Sequence, residues 1–211
     1  MMNFITPYPH DLDWRLHTEK SDITVQWAAV KNSQFKAVRG EMIVQAPVDQ
    51  CINRLKNGNT LQDWIDGCTQ SILLPNTTNR EESSKEEGSD EQFIAQLIYA
   101  VPWPLKNVIS TELNTLTWTN EGTRAQLHYQ TVTPQHSSEI QHLKKCQPMK
   151  HTEGIWIVEA IDEKNSRISH AGFANPGGKI PASLLNSSAL SGQESSFIAL
   201  RKKLQYTRNK S

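Results

Sequence analysis

Cysteine is scarce in this chain: Cys51, Cys68 and Cys146 are the only three among 211 residues. An odd, widely spaced set is not a disulfide framework; it implies free, mostly buried thiols in a reducing compartment. Neither sign of charge is in excess, with 22 basic against 22 acidic residues. A nucleic-acid partner normally demands a basic excess or stripe, so no nucleic acid is expected. No run approaches the ~20 apolar residues of a membrane span. The opening Met1-Met2-Asn3-Phe4-Ile5-Thr6-Pro7 lacks the basic and apolar regions of a signal peptide. The expected compartment is therefore the cytoplasm, or the periplasm if a leader has been removed.

Catalytic signatures are missing too. The chain holds no G-x-S-x-G elbow, no H-E-x-x-H, no P-loop and no G-x-G-x-x-G. No spacing forces two carboxylates together, so neither an enzyme nor a cofactor is expected. His128, His136, His142, Cys146 and His151 are of types that bind zinc, but their spacing matches no usual ligand pattern. They read as solvated surface, and no metal is expected.

What remains is a polar, water-compatible chain, 36% hydrophobic with mean hydropathy −0.57. Its length lets it bury roughly 70% of its unfolded surface without cross-links. Residues 76–91, NTTNREESSKEEGSDE, contain six acids, two bases and no large apolar side chain. Such a stretch cannot offset its ordering entropy by burial and reads as a polar acidic loop inserted between strands.

Before that loop, 23–30 and 35–45 read as paired strands turning at Asn32-Ser33. Pro47 and Asp49 open a helix with Val48, Cys51, Ile52 and Leu55 on one face, and Asn57-Gly58-Asn59 stops it. A short helix around Leu61, Trp64 and Ile65 and a strand over 68–74 follow. After the loop come strand-like runs at 92–101, 107–118, 123–133, 154–161 and 167–174. Links as short as Asn120-Glu121-Gly122 force antiparallel pairing. In 123–133, Ala125, Leu127 and Tyr129 share a dry face, and Arg124, Gln126, His128 and Gln130 a wet one. From Pro181 a helical pattern runs to about Leu204, with Gly192 in its middle and Arg201, Lys202 and Lys203 complementing the dipole at its end. The sum is an antiparallel sheet of about seven strands with one long last helix as its cover. Periodicity alone leaves open whether the space between them is packed core or cavity.

Three stretches resemble the START (steroidogenic acute regulatory protein-related lipid transfer) family. They are Phe35-Lys36-Ala37-Val38-Arg39-Gly40-Glu41, Tyr99-Ala100-Val101-Pro102-Trp103-Pro104, and Asn175-Pro176-Gly177-Gly178-Lys179-Ile180-Pro181-Ala182-Ser183-Leu184-Leu185-Asn186. Gly154-Ile155-Trp156 and Leu200-Arg201 also fit. The likeness covers residues 14–205 as a single domain and is of the bacterial type. One departure matters: the Arg-Asp pair usual after the Pro-x-Pro segment is replaced by Leu105-Lys106-Asn107-Val108-Ile109. No buried charged ligand contact is carried over from the family.

The resemblance implies an α+β helix-grip fold: a curved antiparallel sheet around a long C-terminal helix that gates a tunnel. It implies a hydrophobic ligand, lipid or sterol-like, held for transfer or sensing, with transient contact at a membrane surface. Leu185, Ala189, Gly192 and Ser196 would then roof the tunnel, their small side chains leaving volume, although an amphipathic helix buries such a stripe as plain core too. Trp118, Leu127, Tyr129 and Trp156 would face the ligand from the sheet, or serve as ordinary core. Lys144, Lys145 and Lys150 would meet anionic head groups, or simply solvent. Two alternatives stay open: an aromatase/cyclase-like enzyme of the same superfamily, with His170 as its acid/base group, and a protein-interaction module that docks through the acidic loop.

Overall fold

The structure is a computed structural model, and it describes residues 12–74, 90–120, 122–133 and 145–208. Most of the acidic loop (76–89), His136, His142 and Lys144 lie outside the described residues.

The chain opens with three strands, β1 (Arg15–Lys20), β2 (Ile23–Ala29) and β3 (Lys36–Val44). Helix α1 (Val48–Leu55) and a 3₁₀ turn (Leu61–Asp63) lead to β4 (Cys68–Leu73), β5 (Asp90–Tyr99), β6 (Val108–Thr119) and β7 (Arg124–Thr131). A two-residue strand β8 (Gln147–Pro148), then β9 (His151–Ala160), β10 (Ser166–Asn175) and helix α2 (Ala182–Arg208) complete it. The sheet order is β1-β2-β3-β10-β9-β7-β6-β5-β4, with every neighbour on that path antiparallel. This is the expected α+β helix-grip architecture. Two of the ten strands correspond to none of the runs expected from the sequence, for physical reasons. β1 is an edge strand with almost every residue exposed, so no apolar alternation marks it. β8 lies parallel beside β6 and is too short to carry a pattern.

The two ends of the sheet's inner face are filled differently. At one end α1 buries Val48, Cys51, Ile52 and Leu55 against β7 and β9. The C-terminal half of α2 covers β2 and β3 there, and Phe197, Leu200 and Leu204 are at most 1% exposed. Their spacing, three and then four residues, keeps them on one face of the helix. Gly40 on β3 permits the approach: a methyl group on it would collide with the Phe197 ring. At the other end the first turn of α2 meets a smaller cluster, in which Ala182 and Leu185 pack beside Phe35, Ala37 and Phe173. Burial pushes the thiols of Cys51 and Cys68 up, to about 12 and about 11, which makes both inert near neutrality.

The anchor carries a measurable cost. Phe197→Ala is expected to destabilise the fold by about 3–5 kcal/mol in chemical denaturation. Leu184→Ala, at a position 36% exposed on the same helix, is expected to cost less than about 1 kcal/mol. Equal losses would contradict the asymmetry.

Candidate functional site

The N-terminal half of α2 faces the sheet with Leu185, Ala189, Gly192 and Ser196, none of them bulky except the first. Opposite them the sheet presents Leu127, Tyr129 and Trp156. Side chains this short do not span the gap, and a pocket of about 390 Å³ lies between the two layers. Seven of the eight residues singled out in the sequence lie on its wall. The eighth, Trp118, does not: it is 6% exposed within the main core. Trp118 is on the same face of β6 as the pocket residues Glu112 and Asn114, but four residues past Asn114, at ~3.4 Å per residue, carry it to the end that α1 fills.

A polar chain crosses one wall. The Tyr129 hydroxyl lies 2.8 Å from His170 Nε2, and His170 Nδ1 lies 2.8 Å from Gln193 Oε1. An amide oxygen only accepts, so Nδ1 carries the ring proton, Nε2 accepts, and Tyr129 donates. The chain links β7 to β10 and β10 to α2. Two glycines make room for it: a methyl on Gly154 or Gly172 would collide with the Tyr129 hydroxyl. Tyr129 therefore lies across β9 to reach β10. The indole of Trp156 stacks on the His170 ring at 4.1 Å and meets Trp64 edge-on at 5.5 Å. Burial lowers the pKa of His170 to about 4, with the Gln193 bond opposing it, so the ring is neutral at pH 7. Both ring nitrogens are occupied, so His170 offers no free base.

On the pocket's other wall stands Glu112, 7% exposed. Its carboxylate accepts a hydrogen bond of 2.7 Å from Ser110 Oγ. Burial raises its pKa to about 7, with the Ser110 bond pulling the other way. It also holds the hydroxyls of Tyr99 and Tyr129 well above the ordinary phenol value, after burial itself. Glu112 is not among the residues expected from the sequence. The signal was available: period two places it on the face of Val108, Asn114 and Leu116, a lone acid in an otherwise uncharged row. Gln193 carries no such signal, because polar residues on the long helix read as its solvated side.

At the rim, Asn186 clasps the helix start to the β2–β3 connection. Its Oδ1 accepts from the Lys36 N–H at 2.9 Å, and its Nδ2 donates to the Gln34 carbonyl at 3.0 Å. Further along, Ser196 Oγ accepts from the Asp66 N–H at 2.9 Å, and Asp66 faces Gly192. Among the described residues no group of three or more His, Cys, Asp or Glu could hold a metal ion. No helix among them is long and apolar enough to cross a membrane.

No family model matches the sequence, and no curated protein does. Solved structures do. A STAR-related lipid transfer protein from Xanthomonas axonopodis superposes with TM-score 0.72 at 22% identity, over 91% of this chain and 98% of that one. The fold is that of the START domains. Human StAR-related lipid transfer protein 5 superposes on this START fold at TM-score 0.73 with 12% identity, over 92% of this chain and 88% of that one. The human StarD13 lipid transfer and protein localization domain does so at 0.68 with 14% identity, over 92% and 90%.

The two perturbed groups act on stability in opposite directions. His170 is held below its ordinary 6.5, so its contribution is complete above pH 6.5 and is lost as pH falls towards 4. Glu112 is held above its ordinary 4.5, so its contribution is complete below pH 4.5 and is lost as pH rises to about 7. Denaturation midpoints followed from pH 4 to 7 are expected to lose the rising component in His170→Gln and the falling one in Glu112→Gln. Unchanged pH slopes in both variants would contradict the assignments.

Proposed function

We propose that this START-fold chain, as one unit over residues 14–205, binds a single hydrophobic small molecule or lipid in the pocket beneath α2, for transfer or sensing. One observation carries the reading: the long helix is anchored by large side chains over one half and turns Ala189, Gly192 and Ser196 toward the sheet ahead of that anchor, so that about 390 Å³ stays unfilled. Drug-sized ligand pockets run from about 300 to 1,000 Å³, which makes this a compact chamber for one chain or a small ring system. Aliphatic and aromatic residues such as Leu97, Leu127 and Trp156 form much of its wall. Burying apolar ligand surface there is favourable by roughly 25 cal/mol per Å². The structures it superposes on, named as lipid transfer proteins, support the same reading.

Loading requires an opening, and the start of α2 is the weaker place. The two Asn186 bonds are worth about 1 kcal/mol each net, far less than the Phe197 anchor. The helix start therefore swings while its other half stays docked. The rim also bears the features of a membrane-surface contact. Trp103 is 92% exposed beside the pocket residues Val101 and Pro102, Lys106 is exposed shortly after it in the chain, and Lys150 and Lys179 are exposed next to the pocket residues Met149 and Ile180. An indole with neighbouring lysines suits an anionic bilayer interface. The occupied nitrogens of His170 favour binding over acid/base chemistry in this chamber.

Ala189→Trp is expected to fill the chamber and abolish uptake of a fluorescent single-chain lipid while leaving far-UV circular dichroism unchanged. Asn186→Ala is expected to speed uptake and release about five- to thirtyfold, as loss of a clasp worth about 1–2 kcal/mol implies. Uptake by Ala189→Trp equal to that of the parent would contradict the chamber assignment.

A further inference from the structure

Glu112 has no function in the reading above, and its placement is unusual. An ionised carboxylate buried without a cation is costly, and proteins ordinarily pair it or neutralise it. Among the described residues the hydrogen bond it makes is to Ser110. The groups that face it from neighbouring strands are Cys68 on β4, Tyr99 on β5 and Tyr129 on β7, each acidic when it titrates. His170 on β10 is held neutral. Asp66 is at the helix side of the pocket, and the pocket residues of α2 are uncharged. The basic side chain on the pocket wall, Lys36, has its Nζ 3.6 Å from the centroid of the Trp27 ring. Among the described residues the chamber thus offers a buried acceptor and no cation to match it.

We propose that Glu112 is a specificity-determining residue that seats the protonated amine of a lipophilic ligand, and that the chamber selects against lipid carboxylates. This rests on the ligand-chamber reading of the preceding subsection and names the ligand class. The ligand enters as its ammonium form, since aliphatic amines stay charged up to about pH 10. A protonated Glu112 gives its proton to water as the ammonium binds, and the pair then shares the low-dielectric site. A carboxylate ligand would place two acids together, and one of them would have to stay protonated. Because the carboxyl of Glu112 titrates at about 7, the charged partner is about a tenth populated at pH 6 and about nine-tenths at pH 8.

Calorimetric titration of the full chain with dodecylamine, dodecanol and laurate, below micellar concentrations, tests this. The expected result at pH 8 is at least tenfold tighter binding of dodecylamine than of laurate. Dodecylamine affinity is expected to rise about tenfold from pH 6 to 8, dodecanol affinity to stay constant, and Glu112→Gln to bring amine and laurate within about twofold of each other. Dodecanol binding reports an intact chamber in the variant, and the pH series on the parent protein needs no variant. Dodecanol binding with an amine affinity flat between pH 6 and 8, or an amine preference that survives Glu112→Gln, would overturn the assignment of Glu112 alone. Failure of all three probes to bind the parent protein would overturn the chamber reading and this inference with it.

Discussion

One half of α2 docks on the sheet through Phe197, and the chamber beneath the other half follows from that contact. The ring sits over Gly40 on β3, and Leu200 and Leu204 continue the contact. Each such side chain is worth about 1.5–3 kcal/mol by burial alone. That contact fixes the height of the helix above the sheet. At that height Ala189, Gly192 and Ser196 cannot reach Leu127 and Trp156, and the space persists because the helix is held from its far end. A cavity in a protein is ordinarily a defect that the surroundings shrink to remove. Here the shrinkage would require the anchor to move.

The polar groups of the chamber divide into two kinds. Tyr129, His170 and Gln193 are hydrogen-bonded in series and tie β7, β10 and α2 into a single wall. Such a chain specifies geometry rather than reactivity, because the Tyr129 hydroxyl and both ring nitrogens of His170 are already engaged. Glu112 is of the other kind: a buried acid answered by one hydroxyl. In the proposed function the first set shapes the room, and Glu112 decides which polar end a guest may bring into it.

Much of this was legible in the sequence, and the limits have physical causes. The strands that border the core announced themselves through period-two burial, as in Ala125, Leu127 and Tyr129. The START resemblance placed the small-residue face of α2 over them, and Leu185, Ala189, Gly192 and Ser196 do line the pocket. β1 was silent because an exposed edge strand is specified by pairing rather than by pattern. Trp118 was misplaced because alternation gives the face of a strand but not the position along it, and α1 covers that end. The Tyr129–His170 pair could not be read from residues 41 positions apart. Its trace in sequence was Gly154 and Gly172, two strand glycines whose missing side chains make sense only once a third strand's ring lies over them.

In the proposed function the room that side chains leave free beneath α2 is taken by one apolar guest. Native mass spectrometry of the full chain incubated with excess single-chain lipid tests it most directly. The expected result is a 1:1 complex that survives gentle desorption and disappears on unfolding. A folded protein that retains only its bare mass at every lipid concentration would contradict it.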